Sequence, residues 1–236
     1  MKCPLFDGCA YQAQTKVRAD LWLVAHNSLF HAKPSALGEV AAVVVDEAAW
    51  RTGLIGAEGR HLTLTLDALA SENLSALNGV GRDRLRDLRR QLVTALDGMP
   101  DGPVQRDALR SCSLTASSAA EGRGLEWERK TDLLHPGQSR AERRKAMEAL
   151  EENMTVACCA MTWGALGALL ASNGPEASGW LALDVEQTRD GPARVLHLKG
   201  RQDVADGWKV PTLLLDALLP VDLVRPFWPE CSWWRT

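Results

Sequence analysis

The chain has 236 residues, a formal net charge of −3, 46% hydrophobic residues and 24% charged residues. That size and balance suit one or two globular domains with a sizeable buried core, and they exclude nucleic-acid binding through overall positive charge, leaving only local patches for it. No apolar run reaches the roughly 18 residues that span a bilayer and the N-terminus has no signal-peptide core, so the expectation is a cytoplasmic protein away from membranes.

Residues 1–20 contain Cys3 and Cys9 and read as the end of a small module. Leu21 to Ala25 is a short apolar run, predicted as a buried strand. Pro34 and Gly38 punctuate the loop that follows. Val40 to Val45 is a second apolar run, rich in valine, that stops at Asp46-Glu47. Fully apolar runs of this length suit strands covered on both faces, as in a parallel α/β sheet. From about residue 60 to residue 172 the pattern turns helical. Over Arg82 to Leu96, the leucines at 85, 88, 92 and 96 fall on one stripe. Ser139-Arg140-Ala141-Glu142 matches a capping box, which predicts a helix from there to about Met154. Val156 to Ser172 reads as a buried helix of small residues, with Cys158 and Cys159 as inert thiols. Strands resume at Ala193 to Leu198 and at Thr212 to Leu215. The expected organisation is a Cys-containing remnant over 1–20, an α/β lobe over 21–60 and 175–236, and a helical insertion over 61–174.

The Asp46-Glu47 strand end carries the chemistry. The carboxyl end of a parallel strand faces the crevice where α/β proteins hold ligands. An Asp there can hold Mg²⁺ through water, and a neighbouring Glu can orient and deprotonate an attacking water. The partner motif G-x-x-x-x-G-K-[ST], which cradles the β and γ phosphates, is absent, and the sequence has no Gly-Lys pair. Taken alone, an apolar run ending in Asp-Glu also describes any strand that ends in polar residues. Likewise Cys3 and Cys9 are two thiols where a tetrahedral metal site needs four ligands.

Order along the chain adds to these signals. Cys3-Pro4-Leu5-Phe6, then Ala19-Asp20, then LeuTrpLeuValAlaHisAsnSerLeuPhe, then ValValValAspGlu, resembles the iron–sulfur branch of superfamily 2 DNA helicases. That branch includes the bacterial damage-inducible helicase and the xeroderma pigmentosum group D type. The helical middle is similar in kind to the arch of that family, and ValProThrLeuLeuLeuAspAlaLeuLeu, from Val210, looks like its motif III strand. The resemblance implies a partial P-loop NTPase (RecA-like) parallel sheet with an α-helical insertion. It implies Asp46 as the Mg²⁺-ATP ligand, Glu47 as the group activating water, and Asp216 and Ala217 in the element linking hydrolysis to strand movement. It implies Cys3 as the final ligand of a [4Fe-4S] cluster, with Cys9 an extra candidate. Three features depart from the pattern: Ala49 replaces His in the Asp-Glu-Ala-His box, Leu218 replaces the Thr of motif III, and His26-Asn27 reverses the usual order. The upstream cysteines, the phosphate loop and the second lobe are not among these residues.

Arg82, Arg84, Arg86, Arg89 and Arg90 cluster on one predicted helix and could track a phosphate backbone, or form a solvated face that Asp83 and Asp87 partly neutralise. Arg140, Arg143, Arg144 and Lys145 pose the same choice, with Trp127 a stacking candidate for a single strand. His26 and His31 read as loop histidines. The functional expectation is a fragment of an ATP-dependent helicase moving on single-stranded DNA or another nucleic acid. Its alternatives are a non-catalytic nucleic-acid-binding or interaction protein built on that scaffold, and an unrelated α/β protein.

Overall fold

The structure is a computed structural model that describes residues 7–14, 16–57, 62–74, 77–130, 137–188, 191–230 and 232. In chain order the first elements are α1 (Ala10–Gln14), β1 (Val43–Asp46), β2 (Leu54–Ile55) and β3 (Leu62–Thr65). Then come α2 (Leu66–Ala70), α3 (Gly79–Asp97), β4 (Gly102–Gln105), α4 (Arg106–Ser111), α5 (Ala116–Glu128) and α6 (Arg140–Leu170). The last are β5 (Ala177–Thr188), β6 (Gly191–Leu198), β7 (Gly200–Arg201), β8 (Thr212–Leu215) and α7 (Val221–Val224). The fold is mixed α/β with small sheets, one of them parallel. The chain divides into two compact units, a middle unit over Gly56–Lys199 and an outer unit made of Lys2–Ile55 with Gly200–Thr236.

The middle unit is a four-stranded antiparallel sheet, in the order β3-β6-β5-β4, with helices packed on it. Alternation drives its strands. Leu181 and Leu183 of β5 pair with Leu198 and Leu196 of β6, and all four are buried in the core. Residues 175–199, expected in the α/β lobe, therefore belong to the sheet of the middle unit. The unit is also less helical than its sequence suggests, because β3 and β4 supply the outer strands.

The leucine stripe of α3 is as predicted: Leu85, Leu88, Leu92 and Leu96 are all within 1% of complete burial. Each such side chain contributes about 1.5–3 kcal/mol by leaving water. Asn78 caps the helix by accepting from the Gly81 N–H at 2.8 Å. The capping box at Ser139 is present, with the Ser139 N–H donating to Glu142 Oε2 at 2.6 Å and the Glu142 N–H donating to Ser139 Oγ at 3.3 Å. From it α6 runs without a break to Leu170, joining the two helices expected there into one. Among the described residues α6 is the one helix long and apolar enough to cross a membrane. Its Val156, Trp163, Leu166 and Leu169 are nevertheless buried inside the unit, the pattern of a core helix.

The outer unit contains the parallel pair β1–β8, the short antiparallel pair β2–β7 and a core around Phe30, Trp50, Trp208 and Phe227. Phe30 and Phe227 meet edge to face with ring centroids 5.8 Å apart. The run Leu21 to Ala25 is not a strand, and Leu21 and Leu23 are 79% and 92% exposed. Its apolar side chains have no sheet to join among the described residues. Apolarity alone did not make it a strand, because a strand also needs a partner for its backbone donors and acceptors.

Candidate functional site

Strand β1 ends at Asp46, and in the parallel register of the outer unit Asp46 lies opposite Leu215, the last residue of β8. The two strands therefore deliver Asp46-Glu47 and Asp216-Ala217 to the same edge, the carboxyl end where parallel sheets hold ligands. Beneath them Val45 is buried, while Val44, Leu213 and Leu215 point their apolar side chains to solvent on the other face.

The chain turns sharply after β1. Glu47 has φ +59°, a left-handed conformation that non-glycine residues seldom adopt. It is held there by its own N–H, which donates to the Leu215 carbonyl at 2.7 Å, and by its carbonyl, which accepts from the Ala49 N–H at 2.9 Å. A non-glycine residue kept in this region by its surroundings is a recurrent feature of functional turns, and spacing in the sequence gives no sign of it. The Asp46 and Glu47 side chains are both exposed. Asp216 is half-buried and its Oδ1 accepts the Leu218 N–H at 2.9 Å, so this carboxylate also closes the turn after β8. Ala217 beside it is exposed. Ala49 is 1% exposed in the cluster that also holds Trp50 and Val224. That position packs as core.

Mg²⁺ in a nucleotide site is held by one or two carboxylates, waters and the phosphates themselves, so the exposed Asp46-Glu47 pair fits that ion and the Mg²⁺ of ATP. The fit to ATP is partial, because no Gly-Lys loop exists in these residues to cradle its phosphates. The iron–sulfur expectation fares differently. Cys3 lies outside the described residues. Cys9 is a half-buried free thiol, and among the described residues no three His, Cys, Asp or Glu side chains gather as a metal site. A cluster needs four cysteine ligands, so the described residues do not fit one.

The basic cluster of α3, in the middle unit, resolves into individual partnerships. Arg82 donates to the Leu77 carbonyl at 3.0 Å, Arg84 grips Glu121 at 2.6 Å, Arg86 pairs with Asp83 at 2.7 Å and Arg90 with Asp87 at 3.2 Å. Arg89, expected to face a nucleic acid, is only 3% exposed and is bound on both prongs by Glu126. Arg129 also donates to Glu126, at 2.6 Å; the Leu69 and Ser71 carbonyls accept from Arg89, the Asn73 carbonyl accepts from Arg129, and Arg89 Nη2 also donates to Cys159 Sγ at 3.5 Å. The assignment of Arg89 is therefore corrected: it is an internal brace. Cys158 and Cys159 are buried as expected, and burial pushes the Cys159 thiol up to about 12, well out of the reactive range.

No protein-family model matches this chain, and no curated protein matches it at a significant level.

Proposed function

We propose that the outer unit is part of the first RecA-like lobe of an ATP-dependent, iron–sulfur-type superfamily 2 helicase, with the middle unit as its insertion. The observation that supports this most is the parallel, in-register pairing of β1 with β8. Two segments separated by the whole middle unit come together so that the Asp-Glu strand end and the motif III-like Asp216-Ala217 share one edge. In this reading Asp46 holds the Mg²⁺ of ATP through water, and Glu47, set by its turn, accepts the proton of the attacking water. ATP supplies the free energy that movement along a single strand consumes. The reading carries with it a cytoplasmic setting, a single-stranded DNA partner and a phosphate-cradling loop supplied by residues other than these 236.

One observation favours a second reading, a non-catalytic scaffold that keeps the lobe and has lost hydrolysis. Ala49 is locked in the core where the helicase box has His, which removes one link between the nucleotide and the second lobe.

The experiment begins with the genomic DNA upstream of the codon for Met1. The helicase reading expects an in-frame G-x-x-x-x-G-K-[ST] segment there. The reconstructed longer protein should then hydrolyse ATP in a DNA-stimulated manner and lose this activity on Glu47→Gln. An intact activity in that variant would remove Glu47 from the chemistry. With no such upstream segment, and no Mg²⁺-nucleotide binding that Asp46→Ala abolishes, the scaffold reading takes its place.

A further inference from the structure

A groove of about 420 Å³ runs between α5 and α6 in the middle unit, lined by Arg123, Gly124 and Trp127 on one side and by Trp163, Gly164 and Gly167 on the other. Its glycines divide into two kinds. Gly122, just beneath, is required by packing, since a Cβ there would lie 2.8 Å from the Trp163 ring. Gly124, Gly164 and Gly167 are not. A Cβ on Gly124 would meet nothing within 4 Å, one on Gly164 only the Arg123 side chain at 3.8 Å, and one on Gly167 only Ala119 at 3.8 Å. Glycine inside a helix costs stability relative to alanine. Here three of them bear that cost in one groove, no neighbour in the fold demands any of them, and together they leave the groove floor free of side chains.

The rim shows what that something carries. Arg123 rests its guanidinium along Gly164, and among the described residues this cation has no carboxylate or carbonyl partner. Trp127 is 41% exposed, and the Lys130 ammonium stands 5.8 Å from its ring centroid. A flat floor, an open indole and two cations suit a planar ring joined to an anion.

We propose that the α5–α6 groove binds a nucleotide unit, with its base laid over Gly124, Gly164 and Gly167 beside Trp127 and its phosphate held by Arg123 and Lys130. This site is in the middle unit and does not depend on the reading of Asp46. The unit is either a free mononucleotide or one residue of a single strand, and the chemistry recognised is the same.

The test is fluorescence anisotropy of a labelled oligodeoxyadenylate on the full chain, with AMP as competitor. Saturable binding is expected, weakened about tenfold by Trp127→Ala or Arg123→Gln, the loss of one stacking or phosphate contact. Gly124→Leu should abolish binding while leaving the thermal midpoint unchanged or higher, a combination that a purely structural glycine would not give. If AMP competes at equal affinity, the natural ligand is a free nucleotide; an oligonucleotide that binds far tighter identifies a strand. Absence of binding by both probes overturns the proposal, as does binding indifferent to Gly124→Leu and Arg123→Gln. So does binding lost in Asp46→Ala, which would assign it to the outer unit. A self-association reversed by Gly124→Leu, without nucleotide binding, would make the groove a helix-docking face between copies and would equally overturn it.

Discussion

Arg89 and Glu126, 37 residues apart in the chain, form a two-pronged ion pair in the interior of the middle unit, with Nε–Oε1 at 2.7 Å and Nη2–Oε2 at 2.9 Å. Glu126 is fully buried and also neutralises Arg129. One carboxylate thus answers two guanidinium groups, and the Leu69, Ser71 and Asn73 backbone carbonyls accept further N–H groups from the two arginines.

Removing that carboxylate should be severe. Glu126→Gln leaves two buried cations without their counter-charge, and a loss of about 3–5 kcal/mol is expected by urea unfolding. The exposed pair Arg84–Glu121 provides the contrast. Its atoms are as close as any at the buried site, at 2.6 Å, yet Glu121→Gln should cost no more than about 1 kcal/mol because water screens both partners. Equal costs at the two sites would refute the bracing role of Glu126.

Gly122→Ala sets helix propensity against packing. Propensity alone favours alanine by about 1 kcal/mol. The new methyl, however, would stand 2.8 Å from the buried Trp163 ring, which has little freedom to move. Overpacking of this kind costs about 1–3 kcal/mol, so a lower thermal midpoint is expected. A higher one would mean that α5 and α6 are not in the contact described.

The first turn of α6 should respond to acid. Hydrogen bonds from the Ser139 backbone and side chain hold the Glu142 carboxyl below the ordinary glutamate value of 4.5. A lowered folded value means that the cap's contribution is complete above that ordinary value and is lost as pH falls through the lowered one. The protection factors of the Glu142 and Arg143 amides, corrected for the intrinsic pH dependence of exchange, should therefore fall on acidification. Ser139→Ala should cost about 1 kcal/mol at neutral pH but keep part of the acid response, because the backbone N–H at 139 still donates to the carboxyl; Glu142→Gln, which has no carboxyl to protonate, should abolish it.

Glu47→Gly should stabilise the protein. The left-handed backbone costs a non-glycine residue about 1–2 kcal/mol, and glycine adopts it freely, although part of the gain is offset by a more flexible unfolded chain. Glu47→Val should do the opposite, because branching at Cβ makes the same conformation worse. Thermal unfolding of the two variants checks this, and a Glu47→Gly midpoint below that of the unchanged chain would refute the strain at this turn.

Local signals were the legible ones. The α3 stripe and the Ser139-x-x-Glu142 box are each decided within one or two helical turns, and both appear where periodicity and capping place them. The parallel strands at Val43 and Thr212 were recognisable individually from their apolar runs. The buried state of Arg89 was not, since nothing within reach of its own helix shows that a carboxylate 37 positions later will meet it. For the same reason the middle region read as helical. Its sheet is built by long-range pairing of short strands such as β4, whose GlyProValGln has no strand character of its own. The turn at Glu47 was invisible because its conformation is imposed by Leu215, far along the chain.

The small ribbon β2–β7 bears on how such a gene is assembled. Ile55 is paired with Gly200 and Leu54 with Arg201, so the outer unit's chain departs and returns through adjacent, hydrogen-bonded residues. Everything coded between them is a cassette with neighbouring ends. A two-residue hairpin turn joining 55 to 200 would restore an unbroken ribbon and leave the registers of the outer unit where they are. Within the outer unit, the residues on either side of the middle unit's coding segment are thus already hydrogen-bonded neighbours.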